Sequence, residues 1–187
     1  ADGDVAIGFL GRLVMEKGLD VFSDAVRALA ARGIKPRLVV LGAGPARPWF
    51  QEQLPDAIFT GQLTGNELAR ALASSALLLN PSITEAFGNV TLEAMACGLP
   101  VIAAEATGAT YLVRPSVTGT LVDGTEPEEF ADALEAYALD PDLRRRHGEA
   151  ALAIAKTMDW DSINSTVIRV YKHAIHKRER LARMMDR

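Results

Sequence analysis

Glu85 and Glu93 are separated by seven residues in the run Pro81-Ser82-Ile83-Thr84-Glu85-Ala86-Phe87-Gly88-Asn89-Val90-Thr91-Leu92-Glu93-Ala94-Met95-Ala96-Cys97-Gly98-Leu99-Pro100-Val101. A helix starting near Gly88 leaves Glu85 in the loop before it. Glu93 then lies about 7 Å along the helix, at roughly 1.5 Å per residue. The free amides of the helix N-terminus fall between the two carboxylates and attract an anion. Gly88 lets that anion approach the backbone closely. A pyrophosphate held there would have one carboxylate near each of its two substituents, the layout of sugar, pyrophosphate and ribose. Either glutamate alone reads more simply as a good helix former, favourable to the dipole when it lies in the first turn.

Other candidates gather at strand ends. Gly11, Arg12 and Lys17 follow the first expected strand, and Gly42, Gly44 and Pro45 the second. Thr60, Gly61 and Gln62 follow the third, and Pro81, Ser82, Thr84, Glu85, Phe87 and Gly88 the fourth. In an open parallel sheet ligands bind outside the carboxyl ends of the strands, so cations, glycines and a carboxylate converge on one edge. Arg12 or Lys17 taken singly would be a solvated surface charge; together with the neighbouring loops they have a phosphate-site composition.

Competing chemistries fail on spacing. Gly42-x-Gly44 has Arg47 where the dinucleotide fingerprint needs a third glycine, and no P-loop or Gly-x-Ser-x-Gly elbow occurs. His173 and His176 share a helix face with no evident third metal ligand. Asp-x-Asp occurs at Asp2 and Asp4, Asp140 and Asp142, and Asp159 and Asp161. Paired carboxylates can hold Mg²⁺ or Mn²⁺. The second and third pairs, however, precede helices, where Asp is a preferred cap. No bound metal or other cofactor is expected.

The elements that must position these residues are strands alternating with helix-period segments, the sign of a parallel sheet flanked by helices. Strands are expected at Val5 to Leu10, Arg37 to Leu41, Ala57 to Phe59, Ala76 to Leu79, Val101 to Ala104 and Gly119 to Val122. The helix from Leu19 to Arg32 carries Leu19, Phe22, Val26 and Leu29 on one face. Thr64 and Glu67 suggest a capping box opening a helix through Ser74. Gly98 suits a left-handed cap closing the Gly88 to Ala96 helix, with Pro100 stopping continuation. Helices then follow at Pro127 to Ala138, Pro141 to Lys156 and Asp161 to Arg183. The fold class is thus α/β, a Rossmann-like sheet of about six strands with a helical C-terminal extension. The domain division is 1–160 for the sheet and 161–187 for the last helix.

Composition agrees. The 187 residues are 49% hydrophobic and 24% charged, enough for one buried core. A net charge of −4 argues against general nucleic-acid binding. The lone cysteine, Cys97, rules out an internal disulfide framework, reads as a small buried hydrophobe and fits a reducing, cytoplasmic compartment. No apolar run reaches the roughly 18 residues of a membrane span. The chain enters its first strand abruptly and without a starting Met, which suggests a piece of a longer protein.

The glutamate-pair segment closely resembles the signature of family 4 glycosyltransferases, the group 1 transferases of GT-B fold. Gly11-Arg12-Leu13 with Lys17-Gly18 resembles the family's first phosphate-contacting loop, and Gly42-Ala43-Gly44-Pro45 and Thr60-Gly61 match further landmarks in order. The resemblance implies the C-terminal, donor-binding half of a retaining enzyme that moves a hexose from a UDP-, GDP- or ADP-linked sugar to a glycan or lipid-linked acceptor. Arg12 and Lys17 would bind the pyrophosphate and stabilise the leaving diphosphate. Glu85 would contact the transferred sugar and the developing oxocarbenium ion. The backbone from Ala86 and Phe87 through Gly88, Asn89 and Val90 would hold phosphate or sugar, Glu93 the ribose hydroxyls, and Gln62 and Leu63 the base by main chain, with Gly11 beside Arg12. Such enzymes need no metal, because protein cations neutralise the pyrophosphate.

The acceptor-binding N-terminal domain, with its glycine-rich loop and histidine, has no counterpart here. The last helix would cross back onto it, leaving Ile163, Val167, Val170, Ala174 and Leu181 short of partner surface. The fragment alone is therefore expected to bind donor without efficient transfer. A non-catalytic nucleotide-sugar sensor or assembly module remains an alternative, as does a phosphorylase or epimerase of the same architecture. Arg169, Lys172, Lys177, Arg178, Arg180, Arg183 and Arg187, with Met184 and Met185, suggest peripheral contact with anionic lipid, against the simpler reading of a solvated helix face.

Overall fold

The computed structural model describes residues 5–185, without the side chains of Thr107 and of residues 179–185. Six strands form one sheet: β1 (Ala6–Leu10), β2 (Arg37–Leu41), β3 (Ile58–Gly61), β4 (Leu77–Asn80), β5 (Val101–Ala104) and β6 (Gly119–Val122). Their order is β3-β2-β1-β4-β5-β6, and every pairing is parallel. The four inner strands are short and mostly buried on both faces, as in a sheet covered on both sides. β3 and β4 each begin one residue later than their apolar runs suggest.

Two cores flank the sheet. On one face Phe9, Val40, Leu77 and Ile102 pack with α1 (Leu19–Ala31), α2 (Arg47–Gln53) and α6 (Pro127–Leu139). On the other, Leu41, Leu78, Val101 and Ala103 pack with α3 (Gly65–Leu72), α4 (Asn89–Ala96), α5 (Thr107–Leu112) and α7 (Pro141–Ala155). Leu19, Phe22, Val26 and Leu29 are all buried, as the helical period requires. Just past α1, Arg32 reaches Glu128, Asp132 and Glu135 along α6 at 2.7–2.8 Å, one fork meeting three carboxylates spaced on one helix face.

Some expectations need correction. The capping box does not form: Thr64 makes no side-chain cap. Gly65, the first residue of α3, has φ 54°, outside the right-handed helical region, so the backbone between Thr64 and Glu67 departs from the geometry of a capping box. The sequence reading also missed α2 and α5. Asp140 does cap α7, accepting from the Leu143 amide at 2.8 Å. Asp159 accepts from the Ser162 amide at 2.9 Å and from its hydroxyl at 2.6 Å, which holds the Asp159 carboxyl below its ordinary pKa. Asp2 and Asp4 lie outside the described residues.

The last helix, α8 (Trp160–Met185), is exposed along every side chain described, residues 160–178. Ile163, Val167 and Val170 are 41%, 44% and 61% exposed, and Ala174 is also exposed. Arg169, Lys172, His173, His176, Lys177 and Arg178 lie in solvent. The Leu181, Arg180, Arg183, Met184, Met185 and Arg187 side chains lie outside the described ones. No helix among the described residues is long and apolar enough to cross a membrane.

A buried polar chain ties β6, α6 and α7. The Thr120 hydroxyl donates to Tyr137 Oη at 3.4 Å, and Tyr137 Oη lies 2.8 Å from His147 Nδ1. Burial, with Arg146 nearby, lowers the His147 pKa below its ordinary 6.5. The folded state therefore resists a proton that the unfolded chain takes up. The resulting stability is complete above the ordinary value and is lost as pH falls through the folded one. Unfolding free energy is expected to drop on acidification below pH 6.5, with a shallower slope in His147→Gln. Denaturant titrations across that range measure it; equal slopes would reject the assignment.

Candidate functional site

The sheet order reverses between β1 and β4, the place where open α/β sheets bind ligands. The loops leaving these two strands meet there. Lys17 Nζ lies 2.6 Å from Glu85 Oε1, with both side chains largely buried. Gly18, at φ 70°, brings the first loop against the second: a Cβ there would fall 2.8 Å from the Pro81 carbonyl oxygen. The Thr84 hydroxyl donates to the Glu16 carbonyl at 3.2 Å and lies 3.3 Å from the Ser82 hydroxyl. Deeper, Asn80 Nδ2 donates to the Thr91 hydroxyl at 3.4 Å, joining the end of β4 to α4. A cation and a carboxylate distant in sequence thus become one unit.

Gly11 and Arg12 line a cleft of about 350 Å³ with Gln62, Leu63, Gly42 and Ala43. Its floor is backbone. Gly11 donates its amide to the Leu41 carbonyl at 3.0 Å, Leu13 to Ala43 at 2.9 Å, and Gly42 to Gly61 at 2.9 Å. The Gly11 amide is therefore occupied, and what it offers a ligand is clearance. Gly42 and Gly44 also serve the fold. A Cβ at Gly42 would sit 1.9 Å from the Gly11 carbonyl oxygen, and one at Gly44 2.3 Å from that of Leu13. These glycines let the β2 loop press against the Arg12 loop. The Arg12 side chain is exposed at the cleft.

The residue before α4 is Gly88, which has φ 89° and supplies no side-chain cap. Leu92 takes the Gly88 carbonyl at 3.1 Å. The first-turn amides at Asn89, Val90 and Thr91 precede any intrahelical partner, as at every helix start. Val90 turns its side chain toward the core, leaving backbone for a ligand, and Ala86 is exposed. Glu93 shares a larger cleft, about 850 Å³, with Phe87, Asn89, Tyr111, Met158 and Trp160. Partial desolvation there raises the Glu93 carboxyl above its ordinary pKa. Cys97, one turn on, is half-buried with its thiol also raised, by burial and by Glu93.

The expected residues therefore fall into three groups at the carboxyl edge. Lys17 and Glu85 touch. Gly11, Arg12, Gln62 and Leu63 share one cleft; Phe87, Asn89 and Glu93 share another. Arg12 and Glu93 do not line a common cleft. The sequence reading overlooked Gly108 and Tyr111 on α5, which press on Phe87. Their signal is their place in the segment that leaves β5, at the same carboxyl edge.

An open parallel sheet in this order, with a cation and a carboxylate paired at its switch point, defines a Rossmann-like α/β domain, one half of a GT-B fold. The chain belongs to the glycosyl transferases group 1 family, whose model matches residues 4–140. It is 34% identical over 175 residues to a GDP-mannose-dependent alpha-mannosyltransferase of Corynebacterium glutamicum, covering 94% of this chain and 41% of that protein. It is 37% identical over 190 residues to a D-inositol 3-phosphate glycosyltransferase of Streptomyces griseus, covering 94% and 40%. The chain thus spans less than half the length of these curated relatives. Among solved structures, Anabaena HepE in complex with UDP and glucose superposes with a TM-score of 0.78 at 26% identity, over 91% of this chain and 48% of that one. The C-terminal domain of the group 1 protein LpcC from Francisella tularensis shares the fold, with a TM-score of 0.72 at 23% identity over 83% and 86%.

Proposed function

We propose that this chain is the nucleotide-sugar-binding part of a retaining glycosyltransferase that moves a hexose to a glycan or lipid-linked acceptor. The observation that carries the reading is the contact between Lys17 and Glu85 at the switch point, beside a helix N-terminus without a side-chain cap. Lys17 and Arg12 hold the diphosphate and stabilise the charge that grows on it as the sugar leaves. Glu85 faces the transferred sugar. The amides from Phe87 to Val90 receive phosphate or sugar oxygens. Glu93, partly desolvated, gains by accepting bonds from ribose hydroxyls. Gln62 and Leu63 meet the base beside Gly11. With two protein cations present, no metal is required.

The relatives' names support a nucleoside diphosphate sugar as donor. One uses GDP-mannose, and a structural neighbour holds UDP. The chain covers only part of its relatives, so transfer belongs to the longer polypeptide and this part alone binds without turning over. The exposed apolar side of α8 then packs on the remainder of that polypeptide, and the basic side meets anionic lipid at the cytoplasmic face of a membrane.

Calorimetry of the chain with UDP, GDP and ADP, alone and sugar-linked, tests the proposal. One nucleoside diphosphate series is expected to bind, without added divalent metal. No heat from any of them, at concentrations where relatives saturate, would reject it.

A further inference from the structure

We infer that α5 is the element that positions the Glu85 loop, with Gly108 as its fixed point and Tyr111 as its outer contact. The inference rests on the donor-site reading of Glu85 given above. Gly108 donates its amide to the Glu85 carbonyl at 3.2 Å. A Cβ on Gly108 would fall 2.6 Å from the Phe87 carbonyl carbon and 2.8 Å from the Gly88 nitrogen. Both are backbone atoms and cannot swing aside. Gly88 meets α5 from the other side: its Cβ position lies 3.4 Å from Leu112 Cδ1 and 3.5 Å from the Gly108 carbonyl carbon. The two glycines therefore let α5 and the loop touch main chain to main chain.

α5 is itself anchored. Ala109 and Leu112 are buried in the core beneath it, and the Glu105 amide just before it donates to Val122 of β6 at 2.8 Å. On the solvent side the Phe87 and Tyr111 rings lie 6.0 Å apart at 46°. A continuous path thus runs from β5 and β6 through α5 to the backbone of Glu85. From that backbone position the Glu85 carboxylate reaches Lys17. Gly108 meets the loop through main chain, and Tyr111 meets it through Phe87 at the wall of the Glu93 cleft, so both are positioning residues. Displacing the loop moves Glu85 and, with it, the sugar contact; Arg12, in its own cleft, still holds the diphosphate whatever the Phe87 to Val90 amides lose.

The test uses this chain with Gly108→Ala and Tyr111→Ala, each titrated with the preferred nucleoside diphosphate and with its sugar-linked form. Gly108→Ala is expected to weaken the sugar-linked ligand about tenfold more than the free diphosphate, the scale of one charge-assisted hydrogen bond. Tyr111→Ala should shift the same ratio in the same direction by less. Equal losses on both ligands, or none, in both variants would overturn the positioning role while leaving the donor site standing. Should Gly108→Ala not fold, Tyr111→Ala decides alone, because its ring is 69% exposed and its removal leaves the core intact. A wild-type chain that binds neither ligand overturns the donor-site reading, and the positioning role with it.

Discussion

In the transferase proposed above, replacing Lys17 with alanine is expected to lower the transfer rate by on the order of 10²-fold or more, the usual loss when one donor to a developing negative charge is removed. Two effects combine. The first is the cation itself, which in the proposed site faces the leaving diphosphate. The second is Glu85. Its carboxylate is only 15% exposed and pairs with Lys17 at 2.6 Å. Without that partner the carboxylate remains partly desolvated with its charge uncompensated, and its direction is no longer fixed. Arg12→Ala provides the comparison. Arg12 is exposed at its cleft, so its loss removes the proposed phosphate contact and leaves Glu85 in place. It should weaken diphosphate binding by about 1.5–3 kcal/mol, the range for hydrogen bonds to charged groups. Steady-state rates together with calorimetry separate the two variants: Lys17→Ala should damage turnover beyond its effect on affinity. Wild-type rates in either variant would remove that residue from the reaction.

Phe50→Ala is expected to cost about 3–5 kcal/mol of stability, the range for truncating a buried aromatic ring. Phe50 has no exposed surface. Its ring meets Phe9 and Phe22 at 5.6 Å and Phe59 at 5.7 Å, all edge-on, and Trp49 stacks beside it at 6.3 Å. Edge-on pairs add to simple burial because ring edges and faces carry opposite partial charge. β1, α1, α2 and β3 all contribute to this cluster, so no single neighbour can move to fill the void. Typical domains are stable by only about 5–15 kcal/mol, so the variant should be close to unfolding at physiological temperature. Urea denaturation measures the loss; a change under about 1 kcal/mol, well short of the usual cost of truncating a buried ring, would mean that the surrounding rings close over the gap. The same cluster supports the site. Phe9 stands two residues before Gly11, and the Ala46 amide at the head of α2 donates to the Leu13 carbonyl at 3.0 Å.

Much of the sheet was legible because its strands are local signals. Arg37–Leu41, Val101–Ala104 and Gly119–Val122 stand where their apolar runs end against glycine or proline turns. α1, with 13 residues, showed its period. α2 and α5 did not. α2 opens with Pro48 in its first turn and follows Pro45, so it reads as a loop, although proline is well tolerated there. α5 has six residues, too few for a repeat to show. Gly42 and Gly44 illustrate a different limit. Their place at a strand end suggested phosphate, yet the Cβ positions fall on neighbouring main chain. A glycine in a sequence marks close approach without saying what approaches.

The sequence by itself determined the strand-and-helix alternation, the edge on which the charged residues collect, and the resemblance carried by Glu85 through Glu93. Each depends on near neighbours along the chain, where periodicity, turn residues and helix starts are set within a few positions. Only the tertiary structure decided that Lys17, rather than Arg12, holds Glu85, that Arg12 and Glu93 line separate clefts, and that α5 backs the loop between them. Those facts depend on the order in which parallel strands lie side by side. That order is fixed by packing across two cores, between residues tens of positions apart, and no local pattern records it.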